Sequence, residues 1–279
     1  MKTTTLNNGV EMPLLGYGVF KVDPAECERC VTEAISCGYR LIDTAQFYLN
    51  EEGVGNAVVK SGIPREEFFI VTKVWICNSG EEKAMKSIEE SLRKLRTDYA
   101  DMILVHQPFG DCYGTYRALE KAVEKGMTRA LGLSNFRPDR YYDIVHHTGI
   151  VPQVVQLETN IFSQQTASRN LAAETGTKVM AWGPMAQGKG DFANCAILNE
   201  IASGHGKTPV QTALRFLLQE DIPAIPKSTH KERMAENINI FDFSLNDEEM
   251  EALRSLNRTD GGTRDYTDLA YATRIIGQL

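Results

Sequence analysis

The sequence lacks the features of several protein classes. None of its 279 residues belongs to an apolar stretch approaching the ~20 residues of a membrane-spanning helix, and residues 1–13 contain no apolar signal-peptide core. The net charge of −7 argues against a general affinity for nucleic acid or for an anionic membrane. We therefore expect a cytoplasmic protein with no nucleic-acid or membrane partner, in which local basic groups hold any anionic ligand.

Two familiar motifs are incomplete. Cys27 and Cys30 form a CxxC, but no second pair follows at zinc-site spacing, and Cys27 falls inside a predicted helix rather than at its start. We expect all six cysteines to be free thiols on helix faces and loops. The stretch 16–18, GYG, begins a dinucleotide-binding fingerprint, but Lys21 occupies the third glycine position, so we reject a Rossmann site there.

An unbroken alternation of apolar strands and amphipathic helices is present instead. An Asn8-Gly9 turn predicts an N-terminal β-hairpin. From Leu14 to Lys227 we predict eight strands, the first over Leu14–Phe20, each followed by at least one helix. Asp23 and Pro24 begin the first helix, a capping box at Thr208 and Gln211 begins the helix before the last strand, and another box at 246–249 opens the final helix. The pattern favours one α/β domain over residues 1–279, a (β/α)8 TIM barrel with an N-terminal β-hairpin and extra helices near the C terminus.

Polar residues end consecutive predicted strands at Asp43, Lys73 and His106. The carboxyl ends of barrel strands share one rim, where active sites are built. A buried lysine is costly without a partner, and Asp43 is the natural partner for Lys73. Tyr48 follows Asp43 by five residues and can lie over the same strand end. An ammonium beside its phenol would lower the tyrosine pKa and make Tyr48 a proton donor to a carbonyl oxygen, to which His106 can also donate.

Other interpretations of these residues stay open at this point. Asp43 could cap the following helix, with Tyr48 as a surface aromatic. The Asp43–Lys73 pair could be structural, although such pairs often stabilise no better than apolar residues. Asp43 and His106 are possible metal ligands, but the lysine charge and the lack of a second His or Glu at this rim argue against a metal.

The second half of the rim is mostly neutral. Ser134, Asn135 and Gln156 suit a ligand amide, and Trp182 offers a face for stacking a ring, although each alone is more often a cap or a core residue. After the last strand, basic and hydroxyl side chains lead into a short helix, whose N terminus would suit a phosphate rather than merely being a solvated basic helix. These side chains are Lys227, Ser228, Thr229 and Arg233.

Taken together, residues 6–256 resemble the aldo-keto reductase superfamily, and in particular its shorter, prokaryotic-type members, which include diketogluconate-reductase-like and glyoxal-reductase-like enzymes. The segments IDTA, FY, TKVW and LVHQP carry the family's catalytic residues. The resemblance implies that Asp43, Tyr48, Lys73 and His106 are catalytic. It also implies NADPH/NADP+ as cofactor, no metal, and reduction of a small-molecule carbonyl substrate by hydride transfer, with Tyr48 as general acid.

The resemblance implies binding residues as well. The stretch IPKS, with Arg233 and Asn237, would grip the adenosine 2′-phosphate and adenine, which favours NADPH over NADH. Expected cofactor contacts are Gly18, Val19, Phe20, Asp43, Ser134, Asn135, Gln156, Trp182, Gly183, Pro184, Met185, Lys227, Ser228, Thr229, Arg233 and Asn237. Expected substrate contacts are Phe20, Trp75, His106 and Phe109.

The chain also departs from the family pattern. LETNIF follows Gln156 where many members have His-Pro, Trp182 replaces the usual tyrosine, and residues 229–231 lack a frequent proline. Tyr266 and Tyr271 of the tail could close over the substrate pocket, or the tail could simply be packed. We expect a monomer. The alternative functions are an NADPH-binding barrel with a regulatory role and a metal-assisted barrel hydrolase.

Overall fold

The computed structural model describes residues 2–188, 191–192, 194–258 and 268–277. At the N terminus, β1 (Thr3–Thr5) and β2 (Glu11–Pro13) pair antiparallel. Gly9 has a φ of 83° in the turn between them, a conformation that glycine adopts without steric cost. The predicted hairpin is therefore confirmed.

Eight parallel strands follow in sequential order. The amide of Ala224 donates to the carbonyl of Leu14 (2.9 Å), and that of Gly18 donates to the carbonyl of Pro226 (3.0 Å), so the last strand lies beside the first and the ring closes. The (β/α)8 barrel is confirmed. The strands are β3 (Gly16–Gly18), β4 (Leu41–Asp43), β5 (Phe69–Val74), β6 (Ala100–Val105), β7 (Thr128–Ser134), β8 (Val154–Glu158), β9 (Lys178–Trp182) and β10 (Ala224–Ile225).

Helices alternate with these strands and cover the barrel. The capping box predicted at Thr208 and Gln211 is formed, as is the box at Asn246 and Glu249. Among the described residues, two helices precede β10 and three follow it, which confirms the extra helices near the C terminus. Contrary to the expectation, the box at 246–249 does not open the final helix, because a further helix follows at Leu269–Ile276. The helices are α1 (Pro24–Ser36), α2 (Glu51–Lys60), α3 (Glu81–Leu95), α4 (Cys112–Glu124), α5 (Pro138–His147), α6 (Thr166–Glu174), α7 (Ala196–Gly204), α8 (Pro209–Gln219), α9 (Lys231–Ile238), α10 (Asp247–Arg254) and α11 (Leu269–Ile276).

Strand alternation links the barrel core to its rim. Side chains two apart on a strand point the same way, and those facing the barrel axis form one buried cluster. Each series continues into a rim residue. The series are Leu41 to Asp43, Phe69 and Val71 to Lys73, Met102 and Leu104 to His106, Ala130 and Gly132 to Ser134, Val154 to Gln156, Met180 to Trp182, and Ile225 to Lys227.

The amino end of the barrel is filled by the hairpin. Leu6 and Met12 belong to the same axial cluster as the strand residues, and both are buried. Between the strands and the helices lie two larger apolar clusters. All six cysteines are free, as predicted. In the part of the chain that the structure describes, no helix has the length and apolar character to cross a membrane.

Candidate active site

Three of the four predicted catalytic side chains meet at one point of the rim. Lys73 is fully buried, and its Nζ lies 2.6 Å from Asp43 Oδ1 and 3.4 Å from Tyr48 Oη. The same ammonium donates to the carbonyl oxygen of Thr44 at 2.9 Å. The expected partner of Lys73 is therefore Asp43, and the tyrosine hydroxyl lies at the open side of this ion pair.

A short 3-10 helix, Gln46–Tyr48, holds the tyrosine over the strand ends. The Gln46 side chain fixes this turn, since its Oε1 accepts from the Trp75 amide at 2.9 Å and its Nε2 donates to Ser87 Oγ at 3.0 Å. Gln46 thereby ties the turn to the end of β5 and to α3. The position of Tyr48 is thus set by β5 and α3 as well as by β4, which precedes the 3-10 helix.

Burial and the neighbouring negative charges have opposite effects on the pKa of Lys73. Removal from water lowers the pKa of the Lys73 ammonium, while the negative charges of Asp43 and Glu51 act to raise it. Glu51 is itself buried at the start of α2, where it accepts a hydrogen bond from Thr72 Oγ1 at 2.6 Å. Burial raises the pKa of this carboxyl. The lysine therefore sits in a low-dielectric site whose nearby acidic groups favour its charged form.

His106, the fourth predicted catalytic residue, forms the next wall of the site. It is buried, and its ring packs edge-on against Trp75 (4.8 Å between centroids) and against Tyr48 (5.6 Å). The backbone carbonyl of His106 accepts from Asn135 Nδ2 at 3.2 Å. These contacts bring His106 to the same side of the rim as the tyrosine, as the strand order predicted.

The amide side chains of the second half of the rim bond to protein groups. Gln156 Nε2 donates to Asp43 Oδ2 at 2.7 Å, so both oxygens of Asp43 are engaged. Asn135 has a left-handed backbone (φ 66°), and its Oδ1 accepts from Trp182 Nε1 at 2.9 Å. Asn135 Nδ2 also donates to Ser134 Oγ at 3.1 Å. A hydrogen-bonded arc therefore runs from Trp182 through Asn135 to the backbone of His106.

A cavity of about 540 Å³ opens above this arrangement, within the usual size range of ligand sites. Three of the four predicted catalytic residues line it, the exception being the fully buried Lys73, and so do two of the predicted substrate contacts, Phe20 and Trp75. Most of the predicted cofactor residues line it too. These are Gly18, Phe20, Asp43, Ser134, Asn135, Gln156, Trp182, Gly183, Pro184, Met185 and Lys227.

The other predicted binding residues lie outside this cavity lining. Val19 is buried in the cluster between strands and helices, and Phe109 packs against the cluster formed by Trp75, Ile76 and Ile275. The backbone carbonyl of Ser228 accepts from Tyr17 Oη at 2.5 Å. The rest follow along the chain: Thr229 precedes α9, Arg233 is exposed on it, and Asn237 is buried near its end.

Several lining residues were missed from the sequence. Phe47 stacks on Trp75 with ring centroids 4.1 Å apart, although no sequence pattern distinguishes it from the other residues between Asp43 and Tyr48. Gln107 directly follows His106, and this adjacency was a usable signal. Lys21, Gln187, Arg274 and Ile275 also line the cavity.

The C-terminal helix α11 contributes to the cavity wall. Ile275 packs with Trp75 and Ile76, and Tyr271, one of the two tail tyrosines considered for closing over the pocket, lines the cavity. The expectation for Tyr266 falls outside the described residues. No local sequence pattern marked Ile275 as part of the site.

Comparison with known proteins identifies the family. Residues 14–258 match the model of the Aldo/keto reductase family. The chain belongs to this family. A curated relative, "Glyoxal reductase" of Bacillus subtilis (strain 168), is 42% identical over 260 residues, which are 92% of this chain and 94% of the relative. The predicted resemblance to short prokaryotic-type members is thereby confirmed.

Solved structures of aldo-keto reductases share the same barrel. A putative 2,5-diketo-D-gluconic acid reductase B superposes with a TM-score of 0.90 at 37% identity, covering 96% of each chain. A mutant of Gox0644 in complex with NADPH has a TM-score of 0.88 at 33% identity, covering 95% of this chain and 99% of that one. The predictions of an NADP-dependent oxidoreductase of this family, and of NADP(H) as its cofactor, are confirmed at the family level.

Proposed function

We propose that this protein reduces small aldehydes and ketones to alcohols with NADPH, and that Tyr48 is the general acid. The observation that carries the proposal is the Lys73 ammonium, which lies within reach of both Asp43 Oδ1 (2.6 Å) and Tyr48 Oη (3.4 Å) beneath a cavity. A phenol beside a buried ammonium is poised to give up its proton to a developing alkoxide.

The residues of the rim fit the cofactor. The aromatic face of Trp182 and the amides of Asn135 and Gln156 would hold its nicotinamide, and the exposed Lys227 at the cavity edge, with Arg233 beyond it, would hold its phosphates. When bound, NADPH supplies the hydride. The basic residues after β10 support a preference for NADPH over NADH, because the two cofactors differ in the 2′-phosphate.

Each rim side chain has a distinct role in the proposal. Tyr48 donates its proton to the carbonyl oxygen of the substrate, and Lys73 stabilises the phenolate that remains. Asp43 balances the lysine charge and fixes its position, while Gln156 holds the second oxygen of Asp43. His106 donates a hydrogen bond that orients the carbonyl oxygen toward Tyr48.

The cavity wall supports a small substrate with an apolar part. Phe20, Phe47 and Trp75 give the cavity an aromatic side, and Ile275 of α11 lies against Trp75. The polar groups of Tyr48 and His106 lie next to these rings, because Tyr48 packs 5.0 Å from Phe20 and His106 packs 4.8 Å from Trp75 between ring centroids. A substrate would place its carbonyl among the polar groups and its remaining carbons against the rings.

The test is a comparison of Tyr48→Phe with Tyr113→Phe. NADPH binding is measured by quenching of tryptophan fluorescence, and turnover of methylglyoxal and 4-nitrobenzaldehyde is followed at the cofactor absorbance. We expect Tyr48→Phe to bind NADPH normally while kcat falls about 10²–10⁴-fold. Tyr113 bonds to Asp143 outside the cavity lining, so its variant should retain full activity.

Other outcomes would contradict the proposal in different ways. NADPH binding without turnover of any carbonyl would indicate a regulatory barrel. Activity abolished by a chelator would indicate a metal-assisted hydrolase, although the described residues contain no cluster of three or more His, Cys, Asp or Glu side chains that could hold a metal. Full activity of Tyr48→Phe would overturn the assignment of the general acid.

A further inference from the structure

Gln107 is a buried glutamine whose side-chain oxygen has no hydrogen-bond partner among the described residues. Its side chain is only 4% exposed, yet Gln107 Oε1 accepts no hydrogen bond from any residue that the structure describes. Buried amide groups are nearly always hydrogen-bonded, so an exception needs an explanation. Gln107 also lines the cavity above the rim, so a rotation of its amide would turn the buried Oε1 toward a molecule bound there.

The other buried glutamines among the described residues all form side-chain hydrogen bonds to the protein. Gln153 accepts from the amide of Leu131 and donates to Asn7, both at 2.9 Å. Gln164 donates to the carbonyls of Ile161 and Leu253, also at 2.9 Å. The remaining buried glutamines among the described residues are also bonded through their side chains; they are Gln156, Gln165 and Gln211. Gln107 differs from all of them: it lies in the loop after β6, it lines the cavity, and its Oε1 has no partner among the described residues.

The position of Gln107 defines what it can reach. It directly follows His106, and both residues line the same cavity. Consecutive residues have Cα atoms ~3.8 Å apart, so their side chains can address two atoms of one small molecule. If His106 orients the reacting carbonyl oxygen, the Gln107 amide lies near the groups on the neighbouring carbon.

We propose that Gln107 is a specificity-determining residue that hydrogen-bonds an oxygen on the carbon next to the reacting carbonyl. The preferred substrates are therefore 2-hydroxyaldehydes and 2-oxoaldehydes rather than simple alkyl aldehydes. An amide suits both, because its NH₂ donates to a keto or hydroxyl oxygen, and after rotation of the amide Oε1 accepts from a hydroxyl. The proposal rests on the carbonyl reductase function argued above.

Three substrates of equal carbon number test this inference. Propanal, 2-hydroxypropanal and methylglyoxal differ only at carbon 2, and kcat/KM is measured for each with the wild type and with Gln107→Leu. Because each substrate is compared with itself across the two proteins, its intrinsic reactivity cancels. We expect the variant to lose about 10- to 100-fold on the two oxygenated substrates and little on propanal.

A matched control removes a different amide from the same cavity. Gln187 also lines it, and Gln187→Leu should change kcat/KM for all three substrates by one common factor. Unchanged NADPH binding and an unchanged melting temperature of Gln107→Leu would show that the variant is folded. A loss confined to 2-hydroxypropanal or to methylglyoxal would identify the oxygen that is bound.

The results separate the inference from the function on which it rests. Equal losses of Gln107→Leu on all three substrates, or no loss on any, would overturn the role of Gln107 while leaving the reductase function intact. Wild-type protein that turns over none of the three would overturn the reductase function itself.

Discussion

The two ends of the barrel each carry a buried carboxylate, one at the carboxyl end of β4 and one at the amino end of β6, and the two are used differently. Asp43 at the carboxyl-end rim binds the fully buried Lys73 and Gln156. Asp101, at the amino end of β6, binds Arg65 and Arg129, both at 2.8 Å, and the backbone amide of Ile70 at 2.9 Å.

The difference lies in where the positive charges are. Arg65 and Arg129 are 20% and 44% exposed, so water solvates part of each cation, and the bonds at Asp101 tie strands together. Lys73 has no exposed surface, and beside its carboxylate it contacts the hydroxyl of Tyr48, which lines the cavity. At the amino end of the barrel, the charge of Asp101 is balanced by two arginines that link strands. At the carboxyl end, the buried charge of Lys73 faces a cavity that a ligand can enter.

Among changes to these carboxylates, the largest effect is expected from Asp43→Asn. Removing this charge leaves the Lys73 ammonium without its partner in a site closed to water. We expect the free energy of unfolding to fall by about 3 kcal/mol, and kcat to fall about hundredfold as the tyrosine loses its stabilising cation. Urea unfolding and steady-state kinetics at saturating NADPH measure the two effects. Unaltered kcat in a folded variant would mean that the ion pair is purely structural.

A smaller effect, on stability alone, is expected from Asp101→Asn. The variant keeps most of the hydrogen-bonding capacity but loses the charge that pairs with two arginines, both of which can turn toward water. We expect about 2 kcal/mol of destabilisation. Turnover per folded molecule should match the wild type, because Asp101 is outside the cavity lining. A loss of kcat per folded molecule in Asp101→Asn would show that Asp101 also affects catalysis, and would contradict the proposed difference between the two ends of the barrel.

The smallest effect concerns the second carboxylate behind Lys73. Burial raises the pKa of Glu51 above 4.5, so between 4.5 and that raised value the folded chain holds a proton that the unfolded chain has released. The stabilising contribution is complete below 4.5 and is lost as the pH rises through the folded-state pKa. Glu51→Gln should remove this decline. Urea unfolding at a series of pH values tests it; parallel curves for both proteins would refute it.

The fold was predictable because its signals are local and repeated. Eight apolar segments separated by amphipathic ones specify the barrel, and Asp23 with Pro24 marks the start of α1 where the structure has it. The first strand was overextended: Leu14 to Phe20 was expected, whereas β3 covers Gly16–Gly18, and the chain turns at Lys21 (φ 60°).

The site was predictable only as far as strands position it. Asp43, Lys73 and His106 meet because parallel strands end at one rim. Which amide would bond to Asp43 was not foreseeable, since Gln156 comes from a strand far along the chain. Phe47 and Ile275 were missed because a short turn and a terminal helix acquire their places from tertiary packing, for which no periodic pattern exists.

Because side chains alternate along each strand, the same alternation places both the core residues and the rim residues, and this limits how the site can change by mutation. Lys73 faces the barrel axis because it is two residues from Val71 and four from Phe69. Deleting one residue from β5 would turn that side chain toward the helices and send Thr72 or Val74 inward in its place. Substitutions can therefore exchange the chemistry at a strand end without refolding the barrel, whereas a change of strand length would exchange core and chemistry together. The barrel should therefore tolerate amino-acid substitutions within its strands, but insertions and deletions only in the segments between the strands.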